Sequence, residues 1–284
     1  MTKLHVFMTC LVAAHIPSIT LGFISQGDED HAQPIEILAD EGITCDDQQG
    51  QCTARGNVRA KRGDYTLTAS LLRAHFSKDA SGEQQITRLE AEGRVHIMST
   101  HPGSHRHAWA ERALYEDQDE TLTLFGASSR VENEGMIITA KERIDYSSVK
   151  LKAEAKGEAT ATREGRVIQA DHLIATFQKG TNDKIVLDHV EGHGQVVLTT
   201  PEEIATGDRG FYHATQERAE LHGNVRITNC DGQLEGASAE VNLKDHTSRL
   251  IEPDPSVSSL TLGAQPKRVR ALLLPRPKKD KDVS

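Results

Sequence analysis

The sequence predicts an all-β protein: an open, elongated, solenoid-like stack of short antiparallel strands, internally duplicated. Three observations carry this. Apolar and small residues alternate with polar ones through most of the chain, which is the period of a half-buried strand. The alternating segments are of two kinds that recur in a fixed order, one centred on a glycine and one closed by a small residue after an aliphatic one. The spacing between the two kinds repeats as a triplet, which sets two similar halves one after the other. Only 4% of the 284 residues are aromatic, so a thin core of small side chains fits better than a thick sandwich packed on large rings.

Ahead of the strands, residues 4–24 (LHVFMTCLVAAHIPSITLGFI) form an apolar stretch behind Lys3, broken by His5, His15 and Pro17 and followed by QGDEDHAQ. This is the layout of a secretory signal peptide over residues 1–25. A retained membrane anchor is the other reading, because about 20 apolar residues can span a bilayer. Thr20 and Gly22 put small residues at the right spacing for a cut before Phe23.

The strand region runs from 34 to 251. The glycine strands are CTARGNVRAK (52–61), RLEAEGRVHI (88–97), TLTLFGAS (121–128), LKAEAKGEATA (151–161), HVEGHGQVVL (189–198) and ELHGNVRI (220–227). Between them lie anchor strands marked by ILA (37–39), LTA (67–69), AWA (108–110), ITA (138–140), IQA (168–170), ATG (205–207) and LEG (234–236). Past an anchor the inward parity slips by one, as in Leu67 and Ala69, then Leu72, Ala74 and Phe76. One slipped residue marks a bulge or corner where the sheet turns. From anchor to next glycine the separation is 17 (39 to 56), 24 (69 to 93) and 16 (110 to 126), then again 17 (140 to 157), 24 (170 to 194) and 16 (207 to 223). At an offset of 101, Leu67 matches Ile168, Leu72 Leu173, Phe76 Phe177, Ile86 Leu187, Leu89 Val190, Val95 Val196 and Ile97 Leu198. The halves are 34–132 and 136–251. The two copies of GNVR mark the first and last of six equivalent glycines, alike by strand grammar rather than by a shared duty.

Three cysteines follow the leader. Cys45 and Cys52 bracket the turn-rich DDQQGQ and are a possible disulfide in an oxidising compartment, or two small buried hydrophobes. Cys230 is then odd. Net charge is −9, which argues against a nucleic-acid binder. Residues 252–284 form a Pro/Lys/Arg-rich tail read as flexible.

No nucleophile elbow, phosphate loop, HExxH or CxxC pair occurs in the chain. His101, His105 and His107 sit in a Pro/Gly/Ser loop, while His189, Glu191 and His193 share an outward strand face. Both groups read as solvated surface, and the sequence assigns no metal, no cofactor and no catalytic residue.

AERALYEDQDETLTLFG (110–126), GDRGFYHATQERAELHGNVRI (207–227), QLEGASAEVNL (233–243) and RVRALLLP (268–275), in that order behind a secretory leader, resemble the OstA-like (LptA) family of lipopolysaccharide transport. The resemblance covers about residues 34–275. It implies an open β-jelly-roll whose interior takes lipid A acyl chains. It further implies a periplasmic, non-enzymatic protein joined end to end, to copies of itself or to OstA-like partners of the inner- and outer-membrane complexes. The residues expected to line the interior are Leu67, Leu72, Phe76, Ile86, Leu89, Val95 and Ile97, with Ile168, Leu173, Phe177, Leu187, Val190, Val196 and Leu198 in the second half. A membrane-anchored sibling of the same pathway and a ligand-free β-solenoid scaffold are the alternatives.

Overall fold

A computed structural model of the chain describes residues 35–78, 84–99, 106–133, 135–180, 185–201, 203–230, 232–242, 247–251 and 270–273. The expected leader over 1–25, and the expected tail apart from 270–273, lie outside the described residues.

The alternating segments form strands throughout. They are β1 (Glu36–Leu38), β2 (Gly42–Asp46), β3 (Gln51–Arg62), β4 (Tyr65–Lys78), β5 (Gln84–Ser99), β6 (Arg106–Glu116), β7 (Thr121–Phe125), β8 (Ser129–Asn133) and β9 (Met136–Ala140). They continue as β10 (Arg143–Ser147), β11 (Lys152–Arg163), β12 (Arg166–Lys179), β13 (Ile185–Thr199), β14 (Glu203–His213), β15 (Arg218–Asn229), β16 (Gly232–Asn242), β17 (Thr247–Ile251) and β18 (Arg270–Leu273). All belong to one antiparallel sheet. The short strands are halves of longer runs: β1 and β2 both pair with β3, β7 and β8 with β6, β9 and β10 with β11, and β17 and β18 with β16. The molecule is therefore a pile of bent rungs, each bonded to its neighbours along one axis. Because β18 pairs with β16, the sheet takes in Arg270–Leu273 from the expected tail.

The bend is built the same way in every full-length glycine strand. In β3, Gly56 and Asn57 face the single residue Ser70 of β4, and in β5, Gly93 and Arg94 face Glu111 of β6. In β13, Gly194 and Gln195 likewise face Asp208. These are bulges with two residues against one, which kink the strand and raise its twist. All six spaced glycines, 56, 93, 126, 157, 194 and 223, have positive φ, and five are followed by a second positive-φ residue, Asn57, Arg94, Glu158, Gln195 or Asn224. At Gly194 (φ 74°) an added Cβ would overlap the Asp171 carboxylate, and at Gly56 it would lie 2.6 Å from Glu41 Cγ. Glycine is thus required there for conformation and for space. The Asn of each GNVR copy makes one and the same bond: Asn57 Nδ2 donates to Asp40 Oδ2 and Asn224 Nδ2 to Asp208 Oδ2, each at 2.8 Å. The tetrapeptide does have a shared duty, which is to clasp the bulge to the adjoining anchor strand.

Inside the bend the facing residues are small. Val58 pairs with Ala69, Val95 with Ala110, Ala159 with Ala170, Val196 with Gly207 and Val225 with Gly236. Beyond the bend, the second layer contributes Ala54, Leu72, Ala91, Ala113, Leu124, Ile144, Ala155 and Leu173, and both layers merge into a single core cluster. Small residues at the corner let the layers meet closely, and larger ones further out hold them apart. Outward faces carry cross-strand ion pairs such as Arg73 to Glu92 at 2.8 Å, which being exposed add little stability. Cys45 and Cys52 stand opposite each other in the β2–β3 register and are disulfide-bonded, with Cα atoms 4.0 Å apart. Cys230 is free and exposed.

Gly194→Val forces a β-branched side chain into a left-handed conformation against Asp171. It is expected to lower unfolding free energy in urea by about 2 kcal/mol or more, and Gly194→Asn by less. Wild-type stability for Gly194→Val would show that the bulge is dispensable.

Candidate functional site: an apolar furrow

Side chains two apart on a strand share a face, so the inner surface is read from the register. On the first layer the row next to the corner runs across the strands as Ala60, Leu67, Ile97, Ala108, Val131, Ile138, Ala161, Ile168 and Leu198. On the second layer the row outside Leu72 and Leu173 contains Ala74, Leu89, Tyr115, Leu122, Tyr146, Ala153, Ala175, Val190 and Tyr212. Between the layers lies a cavity of about 250 Å³, bounded by Leu122, Leu124, Val131, Met136, Ile138, Ile144 and Tyr146 together with Ile168, Leu173, Phe177, Leu187, Val190, Leu198 and Tyr212. It spans β7 to β14, so the strands that join the two halves form its middle. Arg163 and Arg166 border it.

Six of the seven second-half candidates lie on this cavity: Ile168, Leu173, Phe177, Leu187, Val190 and Leu198. Val196 is at the corner instead, 4% exposed, where it fills space that Gly192 and Gly210 leave open. In the first half Leu72, Val95 and Ile97 belong to the buried core and Leu67 packs against it. Phe76 stands opposite Ile86 toward the far end of β4, and Leu89 lies between Ala74 and Tyr115. Reasoning by the 101-residue offset missed the joining strands, because β7 to β10 sit at the seam between the halves. Their own alternation, in TLTLF (121–125), MIITA (136–140) and RIDYS (143–147), was the available signal.

The phenols on the second layer are kept protonated. Burial pushes the Tyr146 phenol up to about 12, opposed by Arg106, and also raises Tyr115, reinforced by Asp117. The outward histidines are tied into surface pairs. His189 bonds Asp188, His193 bonds Glu191, and His96 lies 3.1 Å from His107 with both rings stacked on Trp109. Among the described residues no group of three or more His, Cys, Asp or Glu is placed to hold a metal ion; His101 and His105 lie outside them. The cavity is lined mainly by aliphatic and aromatic side chains, with Arg163 and Arg166 at its border.

The chain is similar to known proteins in three comparisons. Over 95 residues, 34% of the chain, it is 30% identical to the LPS-assembly protein LptD of Nitrosomonas europaea, a stretch that makes up 12% of that protein. It is similar to the crystal structure of LptH, the LptA homologous periplasmic component of the lipopolysaccharide transport device of Pseudomonas aeruginosa. That likeness has 23% identity and a TM-score of 0.38, over 45% of this chain and 85% of that one. A family model described as LptA/(LptD N-terminal domain) LPS transport protein matches twice, over residues 36–150 and 138–247. The two starts differ by 102 residues (138 − 36), close to the offset seen in the sequence. The chain belongs to the LptA/LptD N-terminal-domain family of lipopolysaccharide transport proteins.

Proposed function

We propose that this protein carries lipopolysaccharide across the periplasm, with the lipid A acyl chains shielded in the furrow, and that it bridges the inner- and outer-membrane transport complexes without catalysing a reaction. The observation that supports the reading is the apolar cavity between the layers, lined by Leu, Ile, Val and Phe, in a member of a lipopolysaccharide transport family. Acyl chains ask for a continuous apolar lining and no specific polar partner, and each buried CH₂ contributes roughly 0.8 kcal/mol. Rows that repeat from rung to rung supply near-equivalent weak contacts, which favour sliding over tight capture. An envelope location goes with the family, and among the described residues no helix is long and apolar enough to cross a membrane.

Bridging needs ends that accept another chain. Among the described residues, both terminal rungs, β1 with β2 and β17 with β18, are paired on one side, β1 and β2 to β3 and β17 and β18 to β16. Of the exposed large hydrophobics, Leu38 and Ile43 sit on one terminal rung and Leu272 on the other. Open edges with exposed apolar side chains recruit added strands, from a second copy or from OstA-like partners.

Leu72, Val95 and Val196 are too buried to report on ligand, so the informative positions are partly open. A photo-crosslinking residue at Ile168, Leu187 or Leu198 is expected to give adducts with lipopolysaccharide, with none at outward Arg94 or Gln195. A folded protein without adducts at all three inward sites favours a ligand-free scaffold. Ile43→Lys puts a charge on β2 of the terminal rung and is expected to abolish concentration-dependent oligomers in sedimentation velocity. Unchanged oligomers would remove this edge from the joint.

A further inference from the structure

The first layer does not end in apolar residues. Two positions beyond Leu67, Ile97, Val131 and Ile168, on the same inward face, a third row crosses the sheet. From Arg62 it passes through Tyr65 and Ser99 to Arg106, then through Asn133 and Met136 to Arg163, and on to Arg166. Every neighbour in that sequence is a register partner on the adjacent strand, or joined to it through one. Four of the eight positions are arginine and none is acidic. Ser99, Arg106 and Asn133 are buried, while Arg163 and Arg166 border the apolar cavity.

The arginines look across the furrow. Burial raises the pKa of Tyr115, Tyr146 and Tyr212 on the second layer, and the positive charge opposing that rise comes from Arg62, Arg106 and Arg166 respectively. Arg62, Arg106 and Arg166 thus sit within electrostatic reach of a phenol on the facing wall. The ion pair made by Arg163, to Glu164 at 3.8 Å, is to a carboxylate that is itself 63% exposed, so its charge is only loosely compensated. Strands lie about 4.8 Å apart. Arg62 and Arg106 are three strands apart, as are Arg106 and Arg163, which places a guanidinium at intervals of roughly 14 Å along the furrow.

We infer that this row is a binding rail for the phosphorylated headgroup of an acylated ligand, set along the mouth of the furrow that holds its chains. The inference rests on the lipid-carrying reading above and adds which end of the lipid faces which wall. The chemistry follows from the side chains: the planar guanidinium fork donates two parallel N–H bonds to a phosphoryl group, and the apolar row beside it excludes water from the chains. Charge complementarity selects an anionic amphiphile over a neutral one, and the even spacing gives successive stations along the axis.

Binding is measured on the full chain with diphosphoryl lipid A, its monophosphoryl form, inorganic phosphate, and the neutral fluorophore N-phenyl-1-naphthylamine as a probe of the furrow alone. Arg163→Gln with Arg166→Gln is expected to weaken diphosphoryl lipid A by about tenfold or more, to shrink the difference between the two lipids, and to leave the fluorophore unchanged. Arg163→Lys with Arg166→Lys restores part of the affinity, and Lys61→Gln on the outer face changes nothing. Arg62→Gln, a smaller perturbation at another station, is the second variant and is expected to weaken the lipid without affecting the fluorophore. If wild type binds lipid A and the glutamine variants bind it equally well, the headgroup rail is wrong while the carrier reading stands. If wild type binds no lipid A, both fall. If inorganic phosphate alone saturates the row at the concentrations lipid A requires, the site is one for free phosphate and the headgroup assignment is overturned.

Discussion

The structure depends on a left-handed glycine bulge, stacked on its equivalents along one axis. A flat antiparallel pile of this length would expose an apolar face to water or curl unpredictably. Two residues against one at a fixed position in each glycine strand bend the rungs at a shared corner. The folded sheet then covers its own inner face. Gly194 and Gly223 show how narrow the tolerance is: in both, the position of a Cβ is already occupied by a carboxylate of the anchor strand, Asp171 or Asp208. At Gly223 the next residue, Asn224, bonds that same Asp208 carboxylate, so one acidic side chain fills the glycine's space and clasps the bulge.

From that corner outward the inner surface is graded. Val58, Ala69 and Ala159 sit where the layers meet, and Leu67, Ile168 and Leu198 line the widening gap. Arg62, Arg163 and Arg166 follow toward the mouth, with Arg106 buried in the same row. A wedge of this section presents small, then large apolar, then cationic groups to whatever lies in it. An acylated phosphoglycolipid has the complementary order. The grading is maintained from rung to rung because the register is fixed at each bulge, and a one-residue slip would turn every inward side chain to solvent.

Much of this was legible in the residues. Alternation gave strands, the 17, 24 and 16 spacing gave the duplication, and five of the six glycines so located are bulge positions, the sixth, Gly126, lying between β7 and β8. The inward set of the second half was legible for the same reason, since parity follows directly from period two. Val196 was not, because its place depends on Gly192 and Gly210 leaving room across strands, a three-body packing fact that no linear pattern carries. Leu122, Ile138 and Ile144 escaped because they lie at the seam between the two halves, on strands that the pairs matched at an offset of 101 do not reach. The arginine row was invisible for a different reason: Arg62, Arg106 and Arg163 are far apart in sequence and become neighbours only through the register. Asn57 and Asn224 were under-read too, their common bond to an aspartate being a tertiary contact.

The central claim is that the space between the layers is a lipid site, which a steric plug tests most directly. Ala161 lines the cavity and is half-buried, so Ala161→Trp fills the gap from one wall. Native mass spectrometry with lipopolysaccharide is predicted to show bound lipid on the wild type and none on the variant, with circular dichroism and melting temperature unchanged. A folded Ala161→Trp protein that retains wild-type lipid occupancy would contradict the account.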